Sequence, residues 1–242
     1  MPSDLGVLLL HGFTSSLETV SGLAPHLERE GYPYRIPVLQ GHGGRPEDLR
    51  GVTWRDWLED AREALLELSG DRPVALVGLS MGGLVALNLA AEHPTRVAAV
   101  ATVAACMEFR HPLIPILPML RRTIRDWPSS PDYADPELTV LDNNYPYFPL
   151  EAFASLYEYR EVVKDLLPHM RAPLLVIQSR RDPVVRPDAA EEITRRVASP
   201  FREVRWFEVS RHEMMRDVER EEVFREIVGF LNRVRSGELA AA

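Results

Sequence analysis

Short apolar runs alternate with segments of helical spacing along most of this chain. Predominantly apolar runs occupy residues 5–10, 74–77, 97–103 and 174–179, which is typical of strands buried on both faces. Residues 34–39, which contain Pro37, and residues 204–209 predict two further strands. Helical spacing follows at residues 18–30, 54–69, 84–90, 187–198 and 219–235. Six strands alternating with helices predict an α/β fold, with a mostly parallel central sheet and helices on both faces.

The alternation stops between residues 104 and 170. This segment is rich in proline and shows short helical pieces, such as residues 153–166, but no clear strand. We interpret it as an insertion lying over the sheet and not as a second sheet domain. The predicted organisation is therefore a core of residues 1–103 and 171–242, with residues 104–170 as an inserted cap.

The composition limits the size of domain, the kinds of partner and the cysteine chemistry that we expect of this chain. The 242 residues are 45% hydrophobic, which suits one large α/β domain, and the net charge of −8 argues against nucleic acid as a partner. The single cysteine, Cys106, excludes an internal disulfide and a cysteine-rich metal site. The first residues lack the features of a signal peptide, and no apolar run has the length of a membrane span. We expect a cytoplasmic protein, whose oligomeric state the sequence does not determine.

Residues 78–82 carry the clearest chemical motif. Their sequence GLSMG matches G-x-S-x-G, and they stand between a predicted strand and a predicted helix. Strand, sharp turn and helix is the context of a nucleophile elbow, so Ser80 is the predicted nucleophile. The alternative is a glycine-rich turn whose serine only caps the helix.

A serine nucleophile needs a base, an acid and an oxyanion pocket. His212 follows the last strand and is the histidine that fits the chain order nucleophile, acid, base. Asp182 follows the preceding strand and is the predicted acid. The competing carboxylates are Asp188, expected to cap a helix, and Asp217, expected to point into the next helix. The backbone N–H groups of Phe13 and Met81 are the predicted oxyanion donors.

These motifs make the chain resemble the α/β-hydrolase superfamily, and within it small bacterial carboxylesterases close to monoacylglycerol lipases. The similar segments are LLLHGFTSS, QGHGGRPEDL, WRDWLED, GLSMGG, QSRRDPVVRPD and SRHEMMRDVERE, which together span nearly the whole chain. The resemblance implies Ser80, Asp182 and His212 as catalytic triad, an acyl-serine intermediate, and hydrolysis of esters with short to medium acyl chains. Arg211 departs from the pattern, because family members often have glycine before the histidine.

The substrate pocket is less specified by the sequence. The apolar stretch at residues 111–120 is expected to roof an acyl pocket or simply to pack on the core, with Met119 and Met214 as predicted substrate contacts. The cluster Arg121, Arg122 and Arg125 is interpreted as a solvated helix face in preference to a contact for an acidic leaving group.

The predicted function is cofactor-independent, metal-free hydrolysis of a small carboxylic ester. Two alternatives stay open at this point. The same triad could hydrolyse a lactone or a carbon–carbon bond, and the same fold could bind a small molecule without turnover.

Overall fold

Six parallel strands form the central sheet of the protein, whose computed structural model describes residues 4–70, 72–129 and 133–239. The described residues contain eight strands, of which all but β5 and β6 belong to this sheet: β1 (Gly6–Leu10), β2 (Tyr34–Arg35), β3 (Val74–Leu79), β4 (Val97–Val103), β5 (Asp126–Pro128), β6 (Tyr147–Pro149), β7 (Leu174–Ser179) and β8 (Arg202–Phe207). The helices are α1 (Glu18–Ser21), α2 (Ala24–Glu30), α3 (Trp54–Ser69), α4 (Met81–Glu92), α5 (Leu117–Leu120), α6 (Pro136–Val140), α7 (Leu150–Leu166), α8 (Asp188–Arg196) and α9 (Arg220–Arg235).

The strand order in the central sheet is β2-β1-β3-β4-β7-β8, and every pairing in it is parallel. This arrangement confirms the predicted α/β fold. The chain passes from β1 to one side of the sheet and returns with β3 on the other side. A crevice therefore forms at the carboxyl ends of β1 and β3, which is where open parallel sheets bind ligands.

Alternate residues of the strands contribute their side chains to two separate hydrophobic cores, one on each face of the sheet. On one face, Leu8, Leu76 and Val176 pack with helices α3, α4, α7 and α8. On the other face, Val77 and Ile177 pack with α1, α2 and α9. Burial on both faces explains why these strands read as unbroken apolar runs in the sequence.

Strand β2 is shorter than the predicted residues 34–39. It lies at the edge of the sheet and pairs only through Tyr34 and Arg35. Pro37 has no N–H group to donate to a ladder. The N–H group of Leu39 donates instead to His11 Nε2 at 3.1 Å, so the chain turns away from the sheet to contact the loop after β1.

The inserted region between β4 and β7 contains two strands that the sequence did not predict. Strands β5 and β6 pair antiparallel, with Trp127 opposite Phe148. The prediction that residues 104–170 lack strands was therefore wrong, because three-residue strands are too short to produce a periodic pattern. Tyr145 fastens this region to the core, since its N–H group donates to the carbonyl of Thr14 at 2.9 Å and its hydroxyl donates to the carbonyl of Gly41 at 3.1 Å.

Candidate active site

Ser80 lies in a sharp turn between β3 and α4. Its backbone adopts φ 53° and ψ −111°, a combination that a residue with a side chain rarely adopts. The turn is held because the Ser80 N–H group donates to the carbonyl of Val103 at 2.9 Å. The hydroxyl is thereby presented at the carboxyl end of β3, beside the first turn of α4.

Two glycines make this turn possible. A Cβ atom at Gly78 would overlap the carbonyl group of Gly82, and a Cβ atom at Gly82 would overlap the carbonyl group of Leu10. Because the obstructing atoms are backbone, no side-chain rotation would relieve the overlap. The motif G-x-S-x-G thus reflects close approach of helix α4 to strands β1 and β3.

Ser80, His212 and Asp182 come together at this edge of the sheet. His212 Nε2 lies 3.0 Å from Ser80 Oγ, and His212 Nδ1 lies 2.9 Å from Asp182 Oδ2. Because the carboxylate can only accept, Nδ1 carries the proton, and Nε2 is left to accept from the serine hydroxyl. Asp182 Oδ1 is itself fixed by the N–H groups of Val184 and Val185 at 2.8 and 2.9 Å.

The surroundings of His212 favour its protonated form. Burial lowers the pKa of His212, but the negative charge of Asp182, its hydrogen bond and the charge of Glu213 together raise it by more. The pKa of His212 therefore lies above its ordinary value of 6.5. An imidazole in this setting accepts a proton readily when the serine loses one.

The two predicted oxyanion donors flank Ser80. Met81 is the first residue of α4, and Phe13 follows β1 in the neighbouring loop. Across the described ranges, no hydrogen bond uses the backbone N–H group of either residue. Both groups are therefore available to an oxygen atom, and the helix N-terminus adds partial positive charge at Met81.

The loop that carries His212 has no regular secondary structure, and two carboxylates hold it. Glu219 accepts from the N–H group of Ser210 at 2.6 Å. Asp217, which is fully buried, accepts from the N–H groups of Arg211 at 2.7 Å and Val218 at 2.8 Å. The sequence analysis expected Asp217 to point into the next helix, which was wrong, because its carboxylate binds the backbone of the residue before His212.

Asp217 also reaches the inserted region. The N–H group of Ala134 lies 2.9 Å from Asp217 Oδ2 and 3.1 Å from Oδ1. One buried carboxylate thus binds the backbone of the histidine loop and the backbone of the inserted region.

A cavity of about 250 Å³ opens beside Ser80 and His212. Its wall is mainly apolar and includes Phe13, Phe109, Ile114, Leu117, Trp127, Phe148, Phe153, Leu156 and Val184. A smaller polar part is formed by Thr14, Ser15, Ser129, Asn144 and Glu213. Most of the apolar wall comes from the inserted region. Residues 111–120, for which the sequence left a pocket roof and simple packing equally open, contribute His111, Ile114 and Leu117.

The two predicted methionine contacts need correction, because neither lines this cavity. Met119 is 78% exposed on the short helix α5, whose Leu117 is the residue that points inward. Met214 is fully buried in the core on the α9 side of the sheet. Arg121, Arg122 and Arg125 surround a separate surface depression and do not contact the cavity.

The neighbouring thiol of Cys106 does not compete with Ser80 as the nucleophile. Burial raises the pKa of the Cys106 thiol to about 12, so this thiol stays protonated beside the serine.

Among the described residues, no group of three histidine, cysteine or acidic side chains is arranged to hold a metal ion. In the same ranges, no helix combines the length and apolar character needed to cross a bilayer.

Comparison with known proteins places the chain among hydrolases. It is 26% identical over 236 residues to a carboxylesterase of Bacillus subtilis, covering 96% of this chain and 94% of that protein. It is 28% identical to a thermostable monoacylglycerol lipase of Bacillus sp. strain H-257, covering 83% of this chain and 79% of the lipase.

Solved structures give the same result. A structure described under "LipS and LipT, two metagenome-derived lipolytic enzymes" superposes with a TM-score of 0.90 and 30% identity, covering 96% of this chain and 95% of the other. Residues 2–219 match the family described as serine aminopeptidase, S33. The protein therefore belongs to this family of α/β-hydrolases.

Proposed function

We propose that the protein is a serine carboxylesterase that cleaves small esters through an acyl-serine intermediate. The observation that carries this proposal is the hydrogen-bonded series from Ser80 Oγ through His212 to Asp182, with distances of 3.0 and 2.9 Å. Its location beside an apolar cavity, and the similarity to proteins named carboxylesterase and monoacylglycerol lipase, favour esters over peptides as substrates.

In the acylation step, His212 Nε2 takes the proton of the Ser80 hydroxyl while the oxygen attacks the acyl carbon of the ester. The carbonyl oxygen becomes an oxyanion, which the N–H groups of Phe13 and Met81 stabilise. When the tetrahedral intermediate collapses, His212 passes its proton to the leaving alcohol. Asp182 keeps the imidazole oriented and stabilises its positive charge.

In the deacylation step, His212 takes a proton from water, whose oxygen attacks the acyl-serine. The second tetrahedral intermediate collapses to free acid and serine. The proton returns from His212 to Ser80, so each cycle consumes only ester and water.

We further propose that residues 104–170 act as a cap over this site. Support comes from the apolar residues that they contribute to the cavity wall and from the contacts of Tyr145 and Ala134 with the core. The cytoplasmic location expected from the sequence stays a prediction, and so does a small-molecule ester as the partner.

The test is hydrolysis of a series of 4-nitrophenyl esters of increasing acyl length. We expect multiple turnovers, loss of turnover in Ser80→Ala, and labelling by a fluorophosphonate on Ser80 alone. Labelling of a different residue would disprove the nucleophile assignment. A single burst without further release would instead indicate the binding protein considered above. Lactones and amino-acid 4-nitroanilides in the same assay separate esterase from lactonase and aminopeptidase activity.

A further inference from the structure

Thr14 adopts a backbone conformation that is rare for a residue of its type. Its φ is 63°, in the left-handed region, where a β-branched side chain is especially unfavourable. Two hydrogen bonds hold the turn: the carbonyl of Thr14 accepts from the N–H group of Tyr145 at 2.9 Å, and the carbonyl of Gly12 accepts from the N–H group of Ser15 at 3.4 Å. Glycine would adopt the same conformation without strain, so a threonine at this position indicates a use for its side chain.

The hydroxyl of Thr14 is an unbonded donor at the cavity. Thr14 lines the cavity and is 6% exposed. Within the ranges that the structure describes, its Oγ1 atom has no hydrogen-bond partner, and it is not enclosed as the unpartnered hydroxyl of Ser16 is. An unbonded hydroxyl in a mainly apolar cavity is suited to bind a polar group of the substrate.

Thr14 also lies on the side of Ser80 that carries a predicted oxyanion donor, because it directly follows Phe13. The loop passes close to the nucleophile, since a Cβ atom at Gly12 would lie 3.4 Å from Ser80 Cβ. In the sheet, β1, which precedes this loop, lies on one side of β3, whereas β8, which precedes His212, lies beyond its other side. The loop of Thr14 therefore approaches Ser80 from the opposite side to the loop of His212.

We propose that the hydroxyl of Thr14 is a third donor to the oxyanion, beside the N–H groups of Phe13 and Met81. This inference rests on the esterase function proposed above and adds a catalytic residue to it. The hydroxyl hydrogen can rotate towards the ester oxygen, and because the hydroxyl has no partner among the described residues, the new bond replaces no bond of that part of the protein. The bond is stronger to the charged oxyanion than to the carbonyl of the bound ester, so it lowers the barrier to reaction.

The test uses two pairs of proteins, and the members of each pair differ at the hydroxyl of residue 14. Thr14→Val is compared with the wild type, since valine keeps the branched shape of threonine, and Thr14→Ala is compared with Thr14→Ser. With 4-nitrophenyl hexanoate, we expect loss of the hydroxyl to lower kcat by about tenfold or more in each pair, with KM little changed. The second pair decides the question if Thr14→Val does not fold.

A hexyl trifluoromethyl ketone separates the oxyanion from the leaving alcohol as the group that the hydroxyl contacts. This inhibitor forms a tetrahedral adduct with Ser80 that carries an oxyanion but has no leaving alcohol. Its inhibition constant should rise by about tenfold or more when Thr14→Val replaces the wild type, and when Thr14→Ala replaces Thr14→Ser. Equal inhibition within both pairs overturns the inference, and so does a rise in KM with kcat unchanged, because that result indicates binding of the ester before reaction.

Thr139→Val is the matched control, because Thr139 is exposed on helix α6 and does not line the cavity. It should keep the kinetics of the wild type, and a loss equal to that of Thr14→Val would overturn the inference. Ser15→Ala tests the neighbouring hydroxyl, because Ser15 also lines the cavity but is only 2% exposed. A loss of kcat in Ser15→Ala without a loss in Thr14→Val would assign the donor to Ser15 and overturn the inference.

Unchanged kcat within both pairs likewise shows that the hydroxyl of Thr14 is not a donor to the oxyanion. This failure is distinct from a failure of the esterase proposal. If the wild type does not hydrolyse 4-nitrophenyl hexanoate, the esterase proposal itself fails, whereas turnover that is indifferent to the hydroxyl overturns only the role given to Thr14.

Discussion

At the scale of single residues, the backbone of Ser80 is held in a conformation that serine rarely adopts. A non-glycine residue in such a region costs about 1–3 kcal/mol, which the surrounding packing must offset. Here the offset comes from helix α4, whose first turn lies against strands β1 and β3 because Gly78 and Gly82 have no side chains.

Gly82→Ala should therefore destabilise the protein and abolish turnover. Its Cβ atom would overlap the carbonyl of Leu10, and we expect the free energy of unfolding to fall by about 3 kcal/mol. Gly229→Ala is the matched control, because a Cβ atom at Gly229 in helix α9 has open space. That change should raise stability by about 0.5–1 kcal/mol in urea unfolding. Equal stability of the two variants would contradict this account of the turn.

The pH dependence of turnover follows from the charge beside His212. Because the pKa of His212 is raised and the neutral imidazole is the base, kcat/KM should rise with pH through a midpoint above 6.5. Asp182→Asn removes the two effects of Asp182 that raise this pKa and leaves burial, which lowers it, opposed only by the charge of Glu213. The midpoint should then move to lower pH, and turnover should fall by about 10⁴-fold.

Asp188→Asn provides the control for that experiment. Asp188 is one of the two carboxylates that the sequence offered as an alternative acid, and in the structure it begins helix α8 and pairs with Arg186. Its variant should keep the wild-type midpoint and rate. A shift of the midpoint in Asp188→Asn but not in Asp182→Asn would reverse the assignment of the acid.

The candidate catalytic residues could be predicted from the sequence, because their order along the chain and the ends of the parallel strands determine where they lie. Ser80, Asp182 and His212 each follow a parallel strand, so the topology brings them to one edge. Glu213 and Asn144 are 69 residues apart and meet only because the inserted region folds over the histidine loop. The exposure of Met119 and the burial of Met214 in the core could not be predicted either, because short or irregular segments have no periodicity that indicates where a side chain points.

At the scale of elements, the loops after β1 and β2 hold each other through histidine. His11 Nδ1 donates to the carbonyl of Gly12 at 3.0 Å, and its Nε2 accepts from the N–H group of Leu39 at 3.1 Å. Burial lowers the pKa of His11 to about 4, and burial together with the neighbouring His11 lowers that of His42 to about 3. The loop that carries Phe13 is thus supported by neutral imidazoles.

This arrangement predicts a loss of stability in acid. His11 takes up a proton in the unfolded chain near pH 6.5 but in the folded protein only near pH 4. Its contribution is therefore complete above pH 6.5 and declines as the pH falls to about 4, by about 3 kcal/mol. His11→Gln should flatten the pH dependence of the unfolding free energy by this amount.

His169→Gln is the control, since His169 is exposed at the end of a short 3-10 turn. It should leave the acid dependence unchanged. Identical slopes for the wild type and His11→Gln between pH 6.5 and 4 would contradict the role given to His11.

The elements themselves were predictable to different degrees. Helix α3 and strands β4 and β7 have the predicted bounds, because strong periodicity or continuous burial marks their whole length. The predicted helix at residues 18–30 is divided into α1 and α2. Strands β2, β5 and β6 are too short for any pattern, and their ends depend on contacts with distant loops.

At the scale of the whole molecule, the inserted region and the histidine loop share one anchor. Asp217 accepts N–H groups from Ala134 of the inserted region and from Arg211 of the loop. Tyr145 adds a second attachment, to Thr14 in the loop after β1 and to Gly41 in the loop after β2. The inserted region, which forms most of the cavity wall, and the loop that carries His212 are therefore joined through hydrogen bonds to Asp217.

Asp217→Asn should loosen both parts together. The amide loses one acceptor atom, so a buried N–H group loses its partner, and we expect stability to fall by about 2 kcal/mol. Turnover should fall, and chymotrypsin should cleave more readily near residues 133–145. Glu219→Gln is the matched control, because Glu219 holds Ser210 and Val209 of the same loop and has no hydrogen bond to the part of the inserted region that the structure describes. Enhanced cleavage in both variants would show that the shared anchor has no special effect.

Because Asp217 binds both segments, the position of the inserted region over the cavity is coupled to the order of the loop that carries His212. If the inserted region moved away from the core, Asp217 would lose the bond from Ala134 while still holding the backbone before His212. Opening the entrance would then loosen the loop that carries the proton acceptor, and closing it would restore the order of that loop. Such an enzyme would limit wasteful chemistry at an unfilled site without any separate regulator.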